Sequence, residues 1–492
     1  MNLSRLIPFV VAFALPVSFL AAADHGWISL FDGKTLNGWR TSENPSSPRV
    51  ADGMLVAEGK RAHVFYVGED GRAEFENFEL ELEVKTEPGA NSGVYFLTRW
   101  QDSGWPNAGF EAQVNNRQPP FKEYDYRENK KTASLYGTRN LYKPLAEDGE
   151  WFTMNIRVAR PRVEIRLNGR LVSSYVEPAN PVLPSPGPQI NRLGKGTFAL
   201  QCHDEDSRAY YRSIRVRRLP PGEDASVTKP VYSEQDLQRL AIGKDNFPIV
   251  DLRVTADGAL AGAELEALRL RTGIFPGVVF AAEAFPSDST AIAAAAALKD
   301  VPVFAGLDVS GFAFATAVPG GSNLTTSALA AFDYLLVTKS ADAIGGDFLN
   351  MTEAAANEAR MDNHVDSVVH LIETQPIDVY ANVMVLPRGI HGSPEERWTE
   401  ARMQKVIAAA ARHGVAFEIN RHVPTPSLKF IQLAKAAGVK FTVGADAATP
   451  ANYEDWAYIL EVQRKDKANL GWRDMWVPGH FPTRAQKALL KN

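Results

Sequence analysis

The apolar repeat of this chain changes once, and that change limits its fold more than any single motif. From about Trp27 to Leu219 apolar residues alternate with period two in short runs between turn residues. In "FELELEVK" this puts Phe78, Leu80, Leu82 and Val84 on one face and Glu79, Glu81 and Glu83 on the other. Beyond about residue 232 the runs become apolar throughout, as in "FPIVDLRVT" and "VPVFAGLDVS", and alternate with helical stretches such as "RMQKVIAAAARHG". One core cannot serve both patterns, and 492 residues exceed the roughly 100–200 of an ordinary domain. The break falls in "LPPGEDASVTKPVYSEQDLQRL", where prolines, glycine and charges interrupt both periods, so the linker is placed at 220–232.

The first half, 24–219, reads as an antiparallel β-sandwich. Besides Phe78 to Lys85 it offers "SGVYFLTRW", "FEAQVNN", "FTMNIRVAR", "GTFALQCHD" and "YYRSIRVRRL", and "LNGR" at Leu167 to Arg170 is an Asn-Gly hairpin turn. The second half, 233–492, reads as strands buried on both faces and separated by helices. That pattern indicates a parallel α/β sheet, open or closed into a barrel.

The first residues give Arg5, an apolar run from Leu6 to Leu20 and then Ala21-Ala22-Ala23. The run is short for a bilayer about 30 Å thick, and small residues suit a signal peptidase. The expectation is a signal peptide at 1–23, cut after Ala23, a periplasmic or secreted protein, and no membrane span after cleavage. One cysteine, Cys202, excludes an intrachain disulfide. A net charge of −5 without a basic run argues against nucleic acid, leaving a small molecule as the expected partner.

"LFDGKTLNGWR", "ANSGVYFLTRW", "GFEAQV", "TASLYG", "RVEIRLNGRLV" and "FALQCHDEDSRAYYRSIRVRRL" occur in that order across nearly all of residues 27–219. Together they resemble the 3-keto-disaccharide hydrolase family, whose fold is a concanavalin-like jelly roll. The resemblance implies hydrolysis or β-elimination of glycosides oxidised at C3, and so an oxidised sugar as partner. A C3 ketone acidifies the C2 proton. A positioned base can then remove it, and the C1 substituent leaves, which requires a base near neutral pKa and an electrophile for the enolate oxygen.

Glu111 and His203 are the catalytic candidates. Glu111 and Gln113 share a strand face, being two residues apart, and His203 follows an apolar strand beside Asp204, which would orient it or help hold a cation. Without the resemblance Glu111 reads as a solvated strand residue and the His-Asp pair as a turn hydrogen bond. Asn91, Gln113, Tyr136 and Gln201 lie in the matching motifs as candidates for sugar hydroxyls. Tyr95, Trp100 and Trp105 are candidates for stacking on a pyranose, and Arg99 and Arg139 for polarising the ketone. Cys202 stands where the family more often has glycine. A divalent cation is a candidate cofactor, and no nicotinamide is expected.

In the second half, "FPIVDLRVT", "PIDVYANVMVLP" and "GVAFEINRHVPTPSLKFIQLAKAAGVKFTVGADAATP" resemble the polymerase and histidinol phosphatase-like fold, a distorted TIM-like βα barrel that binds up to three metal ions. The metal pattern is incomplete. Arg253 and Thr255 stand where a His-x-His would follow Asp251, Asn382 or Val385 where another ligand histidine would lie, and Ala448 where the final one would. Glu418 and Asp446 remain as candidate ligands of a degenerate site. His364 and His370, six apart on a helix, do not share a face, whereas His391 and His422 fall on loops after strands. The chain is thus expected to be a jelly roll followed by a barrel-like α/β domain, with glycoside chemistry in the first. The rivals are a non-catalytic carbohydrate-binding sandwich and a metal-dependent phosphoesterase in the second half.

Overall fold

The computed structural model describes residues 26–117, 128–182, 189–243, 246–256, 262–310, 324–338, 351–446, 449–479 and 483–489. The export segment 1–23 and Ala448 lie outside the described residues. No helix among the described residues is long and apolar enough to cross a membrane.

The first half is two stacked, mainly antiparallel sheets. One runs Arg170–Val176, Arg162–Leu167, Phe152–Ala159, Phe78–Thr86, Arg208–Arg218, Met54–Glu58, Pro48–Ala51, with Trp27–Ser29 also paired to Arg208–Arg218. The period-two reading holds there: Phe78, Leu80, Leu82 and Val84 are buried, while Glu79, Glu81 and Glu83 pair outside with Arg217, Arg215 and Arg212. Asn168 and Gly169 turn the hairpin with φ of 49° and 81°, the left-handed conformation that this pair of residues tolerates.

The second sheet runs Gln189–Ile190, Ala108–Val114, Ser92–Thr98, Thr197–Cys202, Ala62–Tyr66, Trp39–Thr41. Every residue of Ser92–Thr98 is buried. Val94 and Phe96 face the core between the sheets, and Tyr95 lies on the opposite face with Phe65 and Ala199. The segment from Glu128 to Tyr142 runs along the sheet edge, held by Thr132 N–H to Asn115 O, Ala133 N–H to Gln113 O and Tyr136 N–H to Glu111 O, and its Ala133, Leu135 and Leu141 join the core between the sheets. Residues 220–232 do not run free, since Arg157 pairs with Glu223 and Asp224, and Ala179 N–H bonds to Pro230 O.

The second half is one sheet of seven parallel strands in chain order: Val250–Thr255, Phe275–Ala281, Phe304–Asp308, Tyr334–Val337, Val379–Tyr380, Ala416–Asn420, Phe441–Gly444. First and last strands abut, so the sheet is nearly closed into a barrel. Its helices follow ordinary rules. In Glu400–His413, Thr399 caps the start, Gly414 ends the helix at φ 68°, and Met403, Val406, Ile407 and Ala410 recur on the buried face. The stretch "PIDVYANVMVLP" departs from expectation, because pairing is limited to Val379–Tyr380 and Asn382 turns away at φ 55°.

The barrel is filled rather than hollow. Tyr334 crosses its interior to donate to Leu252 O at 2.6 Å, and Gly277 and Gly306 leave its ring room: a Cβ on either would stand 2.4 Å from Tyr334 atoms. The mouth at the strands' N-terminal ends rests on the sandwich. Tyr142 accepts from Ile249 N–H at 3.0 Å and meets Phe275 edge to face at 5.9 Å, and Lys143 donates to Leu298 O, Val303 O and Asp333. One apolar cluster therefore runs from the sandwich core through Tyr142 to Val250, Phe275, Phe304 and Trp476.

Candidate functional site

A cavity of about 480 Å³ opens on the face of the second sheet that carries Tyr95 and Glu111. That volume suits a small organic ligand. The strand Ala108–Val114 supplies Glu111 and Gln113, Ser92–Thr98 supplies Tyr95, Thr197–Cys202 supplies Gln201, and the following turn supplies His203. Asn91 and Tyr136 lie on loops beside these strands, and Trp105 forms a partly exposed wall.

Glu111 sits opposite Tyr95 in the strand register. Its carboxylate occupies space that a side chain on the neighbouring strand would take, since a Cβ on Gly93 would stand 2.2 Å from Glu111 Oε1. Gln201 Nε2 donates to Glu111 Oε1 at 3.3 Å and to Tyr95 Oη at 3.1 Å. Burial pushes the Glu111 carboxyl up to about 8; hydrogen bonds from Tyr95 and Gln201 and the charge of Lys130 oppose this, while Glu128 adds to it. A carboxyl there exchanges its proton near neutral pH, which a base for carbon acids requires.

His203 Nδ1 meets Asp204 Oδ2 at 2.5 Å, leaving Nε2 for a ligand, and its ring lies 5.3 Å from that of Trp105. Asp204 is held below the usual carboxylate range: burial works against this, and hydrogen bonds from His203 and Ser207 outweigh it. Gln113 Nε2 donates to Asn91 Oδ1 at 2.8 Å and to Ser92 O at 3.1 Å, so the two amides are fixed as a pair.

Three residues singled out from sequence lie elsewhere. Arg99 is exposed and does not line the cavity. Trp100 is engaged by Phe65 on its edge and by Arg40 over its face at 3.8 Å, so stacking on a ligand is corrected to stacking on Arg40. Arg139 bonds to Leu270 O and Arg271 O at the end of the helix Ala263–Thr272 and thus joins the two halves. Cys202 is buried, with its thiol pushed up to about 12 by burial, and pairs with Ala62 in the sheet.

Sequence reasoning missed Glu128 and Lys130, which stand in "RENKK" outside every motif singled out above. Both are buried. Lys130 Nζ lies 3.1 Å from Glu128 Oε1 and 4.3 Å from the Tyr136 ring centre, and Tyr136 Oη donates to Glu128 Oε2 at 3.1 Å. Glu128 also lines the cavity. The one available signal was their position just before "TASLYG", which carries Tyr136.

Among the described residues the candidate metal carboxylates are engaged by other side chains. In the barrel Arg253 Nε lies 3.2 Å from Glu418 Oε2, and its Nη2 3.8 Å from Asp446 Oδ2. A guanidinium beside both carboxylates already supplies the positive charge a divalent ion would bring, so the donor set does not fit one. Glu418 is pushed up to about 7 by burial, against the pull of Arg253. His364 is buried beside Trp398 and pushed down to about 4 by burial, while His370, His391 and His422 are exposed. In the sandwich Asp204 is engaged by His203. Among the described residues no three His, Cys, Asp or Glu side chains converge as metal ligands do.

Residues 26–217 match the family described as the 3-keto-alpha-glucoside-1,2-lyase-like domain. The chain is 27% identical over 230 residues to the 3-keto-disaccharide hydrolase of Bacteroides thetaiotaomicron, an overlap covering 39% of this chain and 79% of that protein. Among solved structures, a candidate glycosyl hydrolase of Parabacteroides distasonis is 22% identical with a TM-score of 0.34, covering 40% of this chain and 95% of its own. A carbohydrate binding module from Bacillus subtilis is 14% identical with a TM-score of 0.23, covering 39% of this chain and 95% of its own. By sequence the first half is thus similar to 3-keto-disaccharide hydrolase-like domains.

Proposed function

We propose that the protein cleaves glycosides oxidised at C3, and that the chemistry takes place in the sandwich cavity. The observation that carries this reading is Glu111, a carboxyl pushed up to about 8 at the cavity wall. In the deprotonated form it takes the C2 proton, and the electron pair passes toward the C3 carbonyl oxygen. Expulsion of the C1 oxygen then gives an enone, with His203 returning a proton to the departing oxygen from Nε2 while Asp204 holds Nδ1. Addition of water across C1 and C2 completes hydrolysis, and release of the enone instead is the lyase outcome. The fixed Asn91–Gln113 pair and Gln201 offer amides to ring hydroxyls, and Tyr95 and Trp105 offer aromatic surface. With the segment before Asp24 as an export signal, the reaction is placed outside the cytoplasm, in the periplasm or beyond.

The test is turnover of a 3-keto-glucoside by the full chain. Glu111→Gln, which keeps the shape and removes the base, is expected to lose at least about 100-fold in kcat. Undiminished sugar binding with no turnover by either protein would favour the carbohydrate-binding reading instead.

A further inference from the structure

The second half touches the cavity wall indirectly, through Asn246, which bonds to the lining residue Tyr136 and to Lys130 beside it. Asn246 precedes the first barrel strand, and its Oδ1 accepts from Lys130 Nζ and lies 3.4 Å from Tyr136 Oη, whose one proton is shared between Asn246 and Glu128. Its backbone carbonyl accepts from Asn129 Nδ2 at 3.0 Å. Asn246 has φ 65°, a conformation favouring glycine and asparagine, and of those two only asparagine offers a side-chain acceptor. Lys130 is 3% exposed and sits against Glu128 and the Tyr136 ring. A buried ammonium must have its donors met, and one of its acceptors comes from the other half of the chain.

We propose that Asn246 is a positioning residue of the sandwich site, holding Lys130 and Tyr136 so that the barrel-like half sets the charge facing Glu111. This rests on the functional reading above only in taking Glu111 as the reactive base. The groups that act on Glu111 are Tyr95 and Gln201 from the sheet and the charges of Glu128 and Lys130 from the edge segment, and His203 lines the same cavity. Lys130 holds the Glu111 carboxyl down against burial. Loss of the Asn246 acceptor weakens the protonated, positioned form of Lys130, and the Glu111 midpoint rises.

The experiment is a double-mutant cycle in the full chain, read as the Glu111 midpoint from its 13C carboxyl resonance and as the rising limb of the pH profile of kcat/KM. Asn246→Gly suits the backbone and removes only the amide. It is expected to raise the midpoint by at least about half a pH unit, and to do nothing further in a Lys130→Met background. If the glycine variant does not fold, Asn246→Asp serves, with a shift that differs between the two backgrounds by about the same amount. Shifts under about 0.2 unit, or equal in both backgrounds, overturn the proposal. The resonance needs no substrate, so absence of turnover in the parent protein would remove the functional reading and leave this inference to its own result.

Discussion

Glu111 owes its proton affinity to the groups around it, and this has a thermodynamic sign. Unfolded, its carboxyl titrates near 4.5; folded, at about 8. Between those values the folded chain keeps a proton the unfolded chain has released, so the associated stability is full below 4.5 and lost as pH rises through about 8. Glu111→Gln removes that loss. Thermal unfolding at pH 5 and pH 9 is expected to show the variant gaining on the parent at pH 9 by roughly 3 °C or more. An equal difference at both values would refute the raised carboxyl. Gly93 is the second residue on which the site depends, because a methyl group there would enter the space of the Glu111 carboxylate. Gly93→Ala is expected to lower kcat/KM about 100-fold while far-ultraviolet circular dichroism stays unchanged. Unaltered kinetics would mean that the carboxylate position is not critical.

Among the elements, the most demanding pair closes the seam of the barrel. Arg421 donates to Asp251 at 2.6 Å with both side chains fully buried, and also to the carbonyls of Asn452, Tyr453 and Asp455. Arg421→Leu removes the buried cation paired with Asp251, so a loss of about 3–5 kcal/mol in urea unfolding is expected. Such elements differ in how plainly the sequence announces them. The strand Phe78–Thr86 and the Asn168–Gly169 turn were legible because their signals are local: alternation in one case, a backbone requirement in the other. Val379–Tyr380 was overread, since an apolar run says that a segment is buried but not where Asn382 leaves the sheet. Glu111, Gln113 and His203 could be singled out because motif and strand phase coincide there. Lys130 and Asn246 could not, because their meeting spans the whole interval between the halves and leaves no periodic trace. Arg139 had the right chemistry for a ketone, but only tertiary structure shows it bound to the helix Ala263–Thr272.

At the scale of the molecule the two halves share a hydrophobic cluster and buried polar bonds, with Tyr142 and Lys143 inserted at the N-terminal mouth of the barrel. Interfaces of this kind couple unfolding, so calorimetry of the full chain is expected to give one main transition, and Lys143→Met to lower it. Two transitions unmoved by that substitution would show the halves to be independent. In the barrel Arg253 lies against Glu418 and Asp446, and the barrel's proposed part is to support the sandwich site. Glu111 is the base proposed for the sandwich cavity. Its most direct test is the pH dependence of kcat/KM on a 3-keto-glucoside for the full chain, with Glu111→Gln alongside. The expected profile is a limb rising with pH to a midpoint near 8, absent together with nearly all activity in the variant. A Glu111→Gln protein that turns over at the parent rate, with the same profile, would contradict it.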